Sequence, residues 1–403
     1  MRQIKNRLVI ALVLTFSLSN VIAQTLPPEP TDGSRVISTS VPFLTIAPDA
    51  RAGGMGNVGA ATSPDEYSMF WNPAKYAFCE KTIGIGVGYV PWLRGLVNDI
   101  GLASLYGYGK IGDKQAIAMS LRFFSMGEIE YTDDQGKSLG NYKPNELAVD
   151  ATYSRKFSKE ISGAVAARFI YSNLIPGYNA YDASVSPGYS VAADIAFYYR
   201  HPMEIKGTSG ATIAFGLDIS NIGAKISYSS SSTMSNFIPT NLRLGPSFTL
   251  SIDDYNTIGF AFDLNKLLVP TPPVYDSVNG QYVIIAGKNN NVSSIAGIFQ
   301  SFYDAPYGFK EELQEITVSA AAEYWYNKLF SIRCGYFYES KYKGNRQFFT
   351  LGAGLRYNIF GLDFSYLIPV KNNNPLQNTL QFTLLFNFDT QKKGGKNTQE
   401  TTQ

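Results

Sequence analysis

From residue 82 to residue 388 the chain alternates bulky apolar residues with small or polar residues at every second position. In the first such segment Ile83, Ile85 and Val87 alternate with glycines. A period of two is that of a β-strand, but the second face lacks the uniformly polar side chains of a soluble sheet. Apolar residues facing lipid and small or polar residues facing a lumen are typical of a transmembrane β-barrel.

The pattern predicts about fourteen strands, each near the 9–11 residues that a tilted spanning strand requires. They lie near residues 83–89, 100–108, 117–123, 147–153, 161–172, 188–200, 210–220, 241–252, 256–265, 316–327, 329–339, 346–357, 360–368 and 379–388. Several charged residues fall on the face opposite the bulky side chains and are therefore predicted to face the lumen: Arg168, Asp194, Asp218, Asp263, Glu323, Arg333, Arg356 and Asp363.

The links between the predicted strands alternate in length. Short links lie near 110–113, 155–160, 253–255, 327–328 and 358–359, and longer ones near 91–97, 124–145, 173–187, 221–240, 266–315 and 369–378. Outer-membrane barrels have short periplasmic turns and long extracellular loops, so we expect the longer links on the cell surface. The link 201–210 is the longest on the predicted periplasmic side and fits this pattern less well.

Residues 47–81 (APDARAGGMGNVGAATSPDEYSMFWNPAKYAFCEK) have neither a strand's alternation nor a long helix's apolar stripe. Irregular backbone cannot face lipid, because its polar groups would go unsatisfied. We therefore predict a plug, or hatch, inside the barrel, preceded by a flexible lead-in at 24–46. Its acids and its arginine are natural partners for the lumenal charges. The candidate plug-motif residues are Asp49, Arg51, Gly53, Gly54, Gly56, Asn72, Pro73 and Ala74.

The two ends of the chain have their own patterns. Residues 1–23 have three cations before an apolar stretch, which predicts a cleaved secretory signal. Its removal takes the formal charge from +2 to about −1, so the mature chain has no positive field for nucleic acid. The final strand, TLQFTLLFNF, alternates apolar residues to its end, and residues 389–403 are predicted to be a polar periplasmic tail.

The composition agrees with a barrel and offers little chemistry. Charged residues make up 16% of the chain, and after the signal no apolar run reaches the roughly 20 residues of a spanning helix. Cys79 and Cys334 permit one disulfide, but we favour unpaired thiols, with Cys334 facing lipid; their spacing matches no metal motif. We predict neither metal nor cofactor.

Catalytic motifs are equally scarce. His201 is the only histidine, and we interpret it as a solvated residue of a periplasmic turn. The two G-x-G-x-x-G matches, at 54–59 and 107–112, lack the strand-to-helix context of a phosphate-binding loop. We therefore predict that the protein is not an enzyme and has no catalytic residues.

The longest loop, 266–315, contains proline and aromatic residues that favour an ordered structure. Loops of this length are usually functional or disordered, and an exposed apolar patch on one would serve as a docking site for a protein. A simple lid over the barrel mouth is the alternative. The candidate partner-binding residues are Leu267, Leu268, Val269, Pro270, Pro272, Pro273, Phe302, Tyr303, Tyr307 and Phe309.

Several segments resemble a known family. Asn72-Pro73-Ala74 ahead of a fourteen-strand pattern resembles the FadL superfamily of outer-membrane channels, whose hatch carries this tripeptide. The run APDARAGGMG…ATSPD…WNPAK, with NKLLVPTPP, DAPYGFKEELQEI and EYWYN in order, is similar to the PorV (LptO) family, an outer-membrane component of the type IX secretion system.

The resemblance implies a role in protein secretion at the outer membrane of a Gram-negative bacterium. PorV-type proteins associate with the translocon barrel, bind cargo by its C-terminal signal domain, and deliver it to a surface sortase complex that attaches it to lipopolysaccharide. The alternatives are a FadL-like channel for hydrophobic small molecules and, less favoured, a lipid A deacylase. The many charges assigned to the lumen disfavour an apolar channel, and the single histidine disfavours the usual form of a deacylase.

Overall fold

A computed structural model of the chain describes residues 35–94, 97, 99–174, 186–229, 235–371 and 374–389. The predicted signal peptide and all but the first residue of the predicted tail lie outside these residues. The strands are β1 (Ile83–Pro91), β2 (Ile100–Ile111), β3 (Gln115–Met126), β4 (Ile129–Thr132), β5 (Ser138–Tyr142), β6 (Asn145–Lys156), β7 (Ile161–Asn173), β8 (Gly188–Met203), β9 (Gly210–Gly223), β10 (Asn241–Ser251), β11 (Asn256–Leu267), β12 (Val274–Val278), β13 (Gln281–Ala286), β14 (Ile316–Tyr326), β15 (Phe330–Tyr338), β16 (Gln347–Tyr357), β17 (Phe360–Pro369) and β18 (Leu380–Phe388).

Fourteen of these strands form one closed antiparallel barrel, and β4–β5 and β12–β13 are separate hairpins. The barrel closes where β1 pairs with β18, from Ile83 opposite Phe388 to Tyr89 opposite Phe382. The predicted fold class is confirmed. Short turns join the strands at one end and long loops at the other, which identifies the long-loop end as extracellular.

One turn differs from its prediction. Strand β8 continues to Met203, so His201 lies at the periplasmic end of a strand and not in the turn. Its ring Nδ1 is 2.9 Å from Glu160 Oε1 and its side chain is part-exposed. The strand continues because Arg200 to Met203 pair with Ala214 to Ala211 of β9.

Burial alternates along the strands as the sequence pattern predicts. Bulky residues such as Phe262 and Leu351 face outward, and the eight predicted lumenal charges lie inside, seven of them buried and Arg356 part-buried. Both cysteines are free thiols; Cys79 is buried and Cys334 is exposed on the outer face.

The lumen holds a plug that begins earlier than predicted. Four short helices follow one another: a 3-10 helix (Pro42–Thr45), α1 (Ala50–Gly53), α2 (Ser68–Trp71) and a second 3-10 helix (Pro73–Phe78). Val41, Phe43 and Leu44 pack against Val90, Leu102 and Phe124 of the wall. Residues 41–46, assigned from sequence to a flexible lead-in, therefore belong to the plug, because their apolar side chains are buried there.

The loop between β11 and β14, which we term the cap (residues 268–315), has its own secondary structure. It contains the β12–β13 hairpin, turned at Asn279-Gly280, and the helices α3 (Ser294–Gln300) and α4 (Phe309–Gln314). The Ser293 hydroxyl caps α3 by accepting from the Ala296 amide. None of the helices in the described ranges has the length and apolar character needed to cross a membrane.

Candidate functional site

The plug is attached to the barrel wall by hydrogen bonds from many directions. Asp263 of β11 accepts from the backbone amides of Gly59 and Ala60 at 2.7 and 2.9 Å. Ser154 and Ser162 both donate to the Ala74 carbonyl oxygen. Further bonds reach β2, β3, β8, β10, β14, β16 and β18. The plug is therefore held around much of the barrel circumference.

Asn72, the first residue of the tripeptide, bridges the plug and the wall. Its side-chain oxygen accepts from the Ala74 amide, and its amide nitrogen donates to the carbonyl oxygens of Ala60 and Phe197, each at 2.9 Å. Pro73 begins the following 3-10 helix, where its missing N–H costs nothing. The tripeptide is thus a joint that fixes two plug segments to β8.

Arg51 carries the main ionic contact of the plug. It donates to Glu323 of β14 at 3.1 and 2.9 Å and to Asp65 at 2.8 Å. Glu323 also accepts from Arg333, which in turn binds Asp363. These buried charges form one alternating chain, which compensates for their loss of hydration.

Glycines permit backbone contact between plug and wall. A Cβ on Gly335 would lie 2.2 Å from the Gly56 nitrogen, and one on Gly216 would lie 1.9 Å from the Ala60 oxygen. Gly56 itself has φ +64 and would press a side chain into the Tyr336 backbone. Only glycine fits at such positions.

All eight candidate plug-motif residues are buried in the lumen. Asp49 caps α1 by accepting from Ala52 and also accepts from the Trp71 indole at 2.7 Å. A Cβ on Gly53 would collide with the Gln381 side chain, and one on Gly54 would approach Gly352 at 2.9 Å. The arrangement is that of a packed structural element.

A second ionic network lies nearer the extracellular end. Arg168 of β7 binds Asp150 and Asp194, and Asp150 also faces Arg122 at 3.4 Å. Arg243 of β10 donates to the backbone oxygens of Phe70 and Trp71 and contacts Asp218 only at 3.9 Å. The guanidinium groups of Arg122 and Arg243 each lie 5.5 Å from the Phe70 ring centroid.

The cap is fixed to the barrel by buried ion pairs on α4. Lys266 of β11 binds Glu312 at 3.1 Å and Glu315 at 2.5 Å. Lys343, in the loop between β15 and β16, binds Glu311 and Glu315. Arg35 is a second cation on Glu311. The acidic side chains thus face the protein.

The opposite side of α4 is apolar and exposed. Phe309 is 75% exposed and Leu313 is 52% exposed. Helix α3 also exposes two apolar side chains, Ile295 and Phe299, at the same spacing of four residues. An amphipathic helix on the surface of a soluble protein has the opposite arrangement, with its apolar residues facing the core and its charged residues facing solvent. Apolar residues presented outward in this way are typical of an interaction surface.

The candidate partner-binding residues divide into two groups. Leu268, Val269, Pro270 and Pro273 are buried and support the cap, and Leu267 and Tyr307 are partly buried. Pro272, Phe302, Tyr303 and Phe309 are exposed and available for contact. Sequence reasoning missed Ile295, Phe299 and Leu313, although their spacing of four residues was a readable signal.

One acid of the cap has a perturbed pKa. Burial raises the pKa of Asp304 to about 6, and the nearby carboxylates of Glu312 and Glu315 add to the effect. Bonds from the Gln300 side chain and the Thr271 amide oppose it. Across the described ranges, no group of three or more His, Cys, Asp or Glu residues could hold a metal ion.

A cavity of about 490 Å³ lies between the plug and the outer loops. It is lined by plug residues such as Leu44 and Trp71, by the outer ends of strands, and by the loop that carries Lys343. Its lining contains five cationic side chains and two acidic ones.

The comparison with protein families gives one match. Residues 29–274, more than half of the chain, match the family described as Type IX secretion system protein PorV. The chain belongs to the PorV family. It is therefore a β-barrel protein of the outer membrane and a component of the type IX secretion system. A comparison with curated proteins gave no match.

Solved structures that resemble this PorV-family barrel are distant in sequence. The toluene transporter TodX of Pseudomonas putida is 10% identical with a TM-score of 0.46, over 83% of this chain and 95% of TodX. A FadL homologue of Pseudomonas aeruginosa is 14% identical with a TM-score of 0.42, over 88% of this chain and 100% of that one. The toluene transporter TbuX of Ralstonia pickettii is 10% identical with a TM-score of 0.43, over 84% and 98%.

Proposed function

We propose that this PorV-family barrel is a cargo-binding shuttle of the secretion system. It receives a secreted protein at the translocon by the C-terminal signal domain of that protein and carries it to the surface sortase complex. The cap presents the docking surface, and the barrel supplies a mobile base in the membrane plane. Chemistry on the cargo belongs to the sortase complex.

The observation that carries this proposal is the reversed polarity of α4. Its acids are buried against Lys266 and Lys343, while Phe309 and Leu313 face solvent. Solvent-exposed aromatic residues on a rigidly held element are the usual anchors of a protein interface. The ion pairs hold the helix in this orientation and so pre-organise the surface, which lowers the entropic cost of docking.

The alternative, a channel for hydrophobic small molecules, is disfavoured by the filling of the lumen. A path for apolar molecules needs a continuous apolar lining. Here the lumen contains the plug and two ionic networks, and the lining of the cavity above the plug includes four arginines, one lysine and four asparagines.

The test is a pull-down of the tagged, full-length protein from detergent-solubilised outer membranes. The double variant Phe309→Ser, Leu313→Ser removes the two most prominent side chains of α4 and leaves the buried glutamates in place. We expect it to reduce the recovered cargo about thirtyfold, which corresponds to roughly 2 kcal/mol at an interface hot spot. Surface attachment of cargo falls with it.

The matched control is Ile129→Ser, Leu139→Ser, which removes two exposed apolar residues from the β4–β5 hairpin. This control should recover cargo as the wild type does. Unchanged recovery of cargo with the α4 variant would show that the apolar side of α4 is not the docking surface. Co-purification of hydrophobic small molecules alone, without cargo or translocon, would contradict the shuttle and support the channel.

A further inference from the structure

The cavity above the plug has an uneven arrangement of charge. Arg122, Arg168 and Arg243 line its floor, whereas their acidic neighbours Asp150, Asp194 and Asp218 are outside its lining. Cations therefore face the cavity and carboxylates lie behind them. At the rim, Lys343 and Arg346 are balanced by the two acids that line the cavity, Glu315 and Glu339.

Arg243 is the least compensated of the floor arginines. Its nearest carboxylate oxygen, on Asp218, is 3.9 Å away, which is too far for a hydrogen bond. Two of its donors bind plug carbonyl oxygens and a third binds the Asn265 side-chain oxygen at 2.9 Å. Its second terminal nitrogen, Nη2, has no protein partner in the described part of the chain.

Asn265 adds a hydrogen-bond donor beside Arg243. Because the Asn265 oxygen accepts from Arg243, the amide nitrogen of Asn265 remains to donate into the cavity. Arg122 makes two hydrogen bonds, both at 3.4 Å, and its guanidinium lies over the Phe70 ring; among the described residues its buried Nε has no hydrogen-bond partner. At Arg243 and Asn265 the floor therefore combines positive charge with N–H groups that have no hydrogen-bond partner among the described residues.

We propose that this cavity binds a phosphate-type oxyanion that enters from the extracellular side. An anion with several oxygens accepts hydrogen bonds from arginine and amide donors at once, and such charge-assisted bonds are the strong ones. Leu44, Trp71 and Phe337 supply an apolar wall beside the donors. Both inorganic phosphate and a phosphorylated headgroup carry the required chemistry. The site is separate from the apolar surface of α4 and does not depend on the docking role.

The test uses the full-length protein in detergent, with Trp71 as the reporter. Trp71 lines the cavity, and Arg243 lies 4.7 Å from its ring centroid. The other two tryptophans are changed to phenylalanine, Trp92→Phe and Trp325→Phe, so that emission comes from Trp71 alone. Inorganic phosphate and glycerol 1-phosphate are titrated at constant ionic strength, and chloride and acetate serve as reference anions.

We expect saturable quenching by the phosphates and not by the reference anions. Arg243→Gln weakens binding at least tenfold. Asn265→Asp, which keeps the shape and places a carboxylate beside Arg243, abolishes it. Arg356→Gln is the matched control: Arg356 is a lumenal arginine outside the cavity, and its partner Asp363 retains Arg333. Heat-modifiable migration in gels verifies that each variant is a folded barrel.

The two ligands distinguish the source of the oxyanion. Tighter binding of glycerol 1-phosphate identifies a headgroup, and equal binding identifies free phosphate. Non-saturable quenching, equal quenching by acetate, or an equal loss of affinity in Arg356→Gln would each overturn the proposal.

Discussion

Arg51 of the plug and Glu323 of strand β14 form a two-point ion pair, with Nε–Oε1 and Nη2–Oε2 distances of 3.1 and 2.9 Å. The two residues are 272 positions apart in the chain. Glu323 is shared with Arg333 of the neighbouring strand, so one carboxylate ties the plug to two strands of the wall. The pair is buried, and each partner needs the other to remain charged away from water.

Glu323→Leu is expected to destabilise the plugged barrel by about 3–5 kcal/mol, because it leaves two buried arginines without this partner. The measurement is the urea midpoint for loss of heat-modifiable migration. The control is Lys81→Met, which breaks an exposed pair with Asp389 and should cost at most about 1 kcal/mol. Equal midpoints for Glu323→Leu and the wild type would show that the pair contributes nothing.

Gly335→Ala should displace the plug, because its new Cβ would lie 2.2 Å from backbone atoms of Gly56 and Met55. The barrel strands themselves can still pair, so we expect an assembled barrel with raised ion conductance in planar bilayers. The control is Gly109→Ala in β2, where a Cβ would meet no atom within 4 Å. A wild-type conductance for Gly335→Ala would contradict the close contact of plug and wall.

The cap should become more stable as the pH falls from about 7 to about 5. Burial raises the pKa of Asp304 from 3.8 to about 6, so the folded cap binds this proton more tightly than the unfolded chain does. This stabilisation is therefore fully present below the unfolded pKa of 3.8 and is lost as the pH rises through the folded pKa of about 6. The Glu311 pKa is lowered, so Glu311 stays ionised in this window.

Hydrogen exchange of the cap, compared between the wild type and Asp304→Asn at each pH, checks this expectation. The variant keeps an acceptor for the Thr271 amide and carries no charge. It should protect the cap better than the wild type, and the difference in protection should be larger at about pH 7.5 than at about pH 5. If the difference in hydrogen-exchange protection between the two proteins is the same at both pH values, Asp304 is excluded as the titrating group.

Leu351→Arg tests which face of the strands meets lipid. Leu351 lies near the middle of β16 and its side chain faces outward. An arginine at the bilayer midplane costs about 2–4 kcal/mol, and near an interface about 0–1 kcal/mol. Leu355 lies nearer the periplasmic turn. We therefore expect the free energy of unfolding in lipid vesicles to be smaller for Leu351→Arg than for Leu355→Arg. Equal free energies of unfolding for the two variants would show that Leu351 does not lie nearer the bilayer midplane than Leu355.

The sequence by itself determined the barrel. A period of two is a local property, readable within each strand, and it decides which side chain faces lipid and which faces the lumen. Thus the outward position of Cys334 and the inward positions of Asp263 and Glu323 were predictable, and the structure confirms them. The alternation of short and long links likewise gave the orientation of the strands.

Tertiary structure alone decided what those inward residues bind. Asp263 caps the amides of Gly59 and Ala60, and Glu323 binds Arg51, across separations of more than two hundred residues. No local pattern encodes such pairs, because they arise only when the barrel closes around the plug. The same holds for the start of the plug at Val41, whose burial depends on the wall, and for the reversed polarity of α4. There the lysines that draw its glutamates inward come from β11 and from a distant loop.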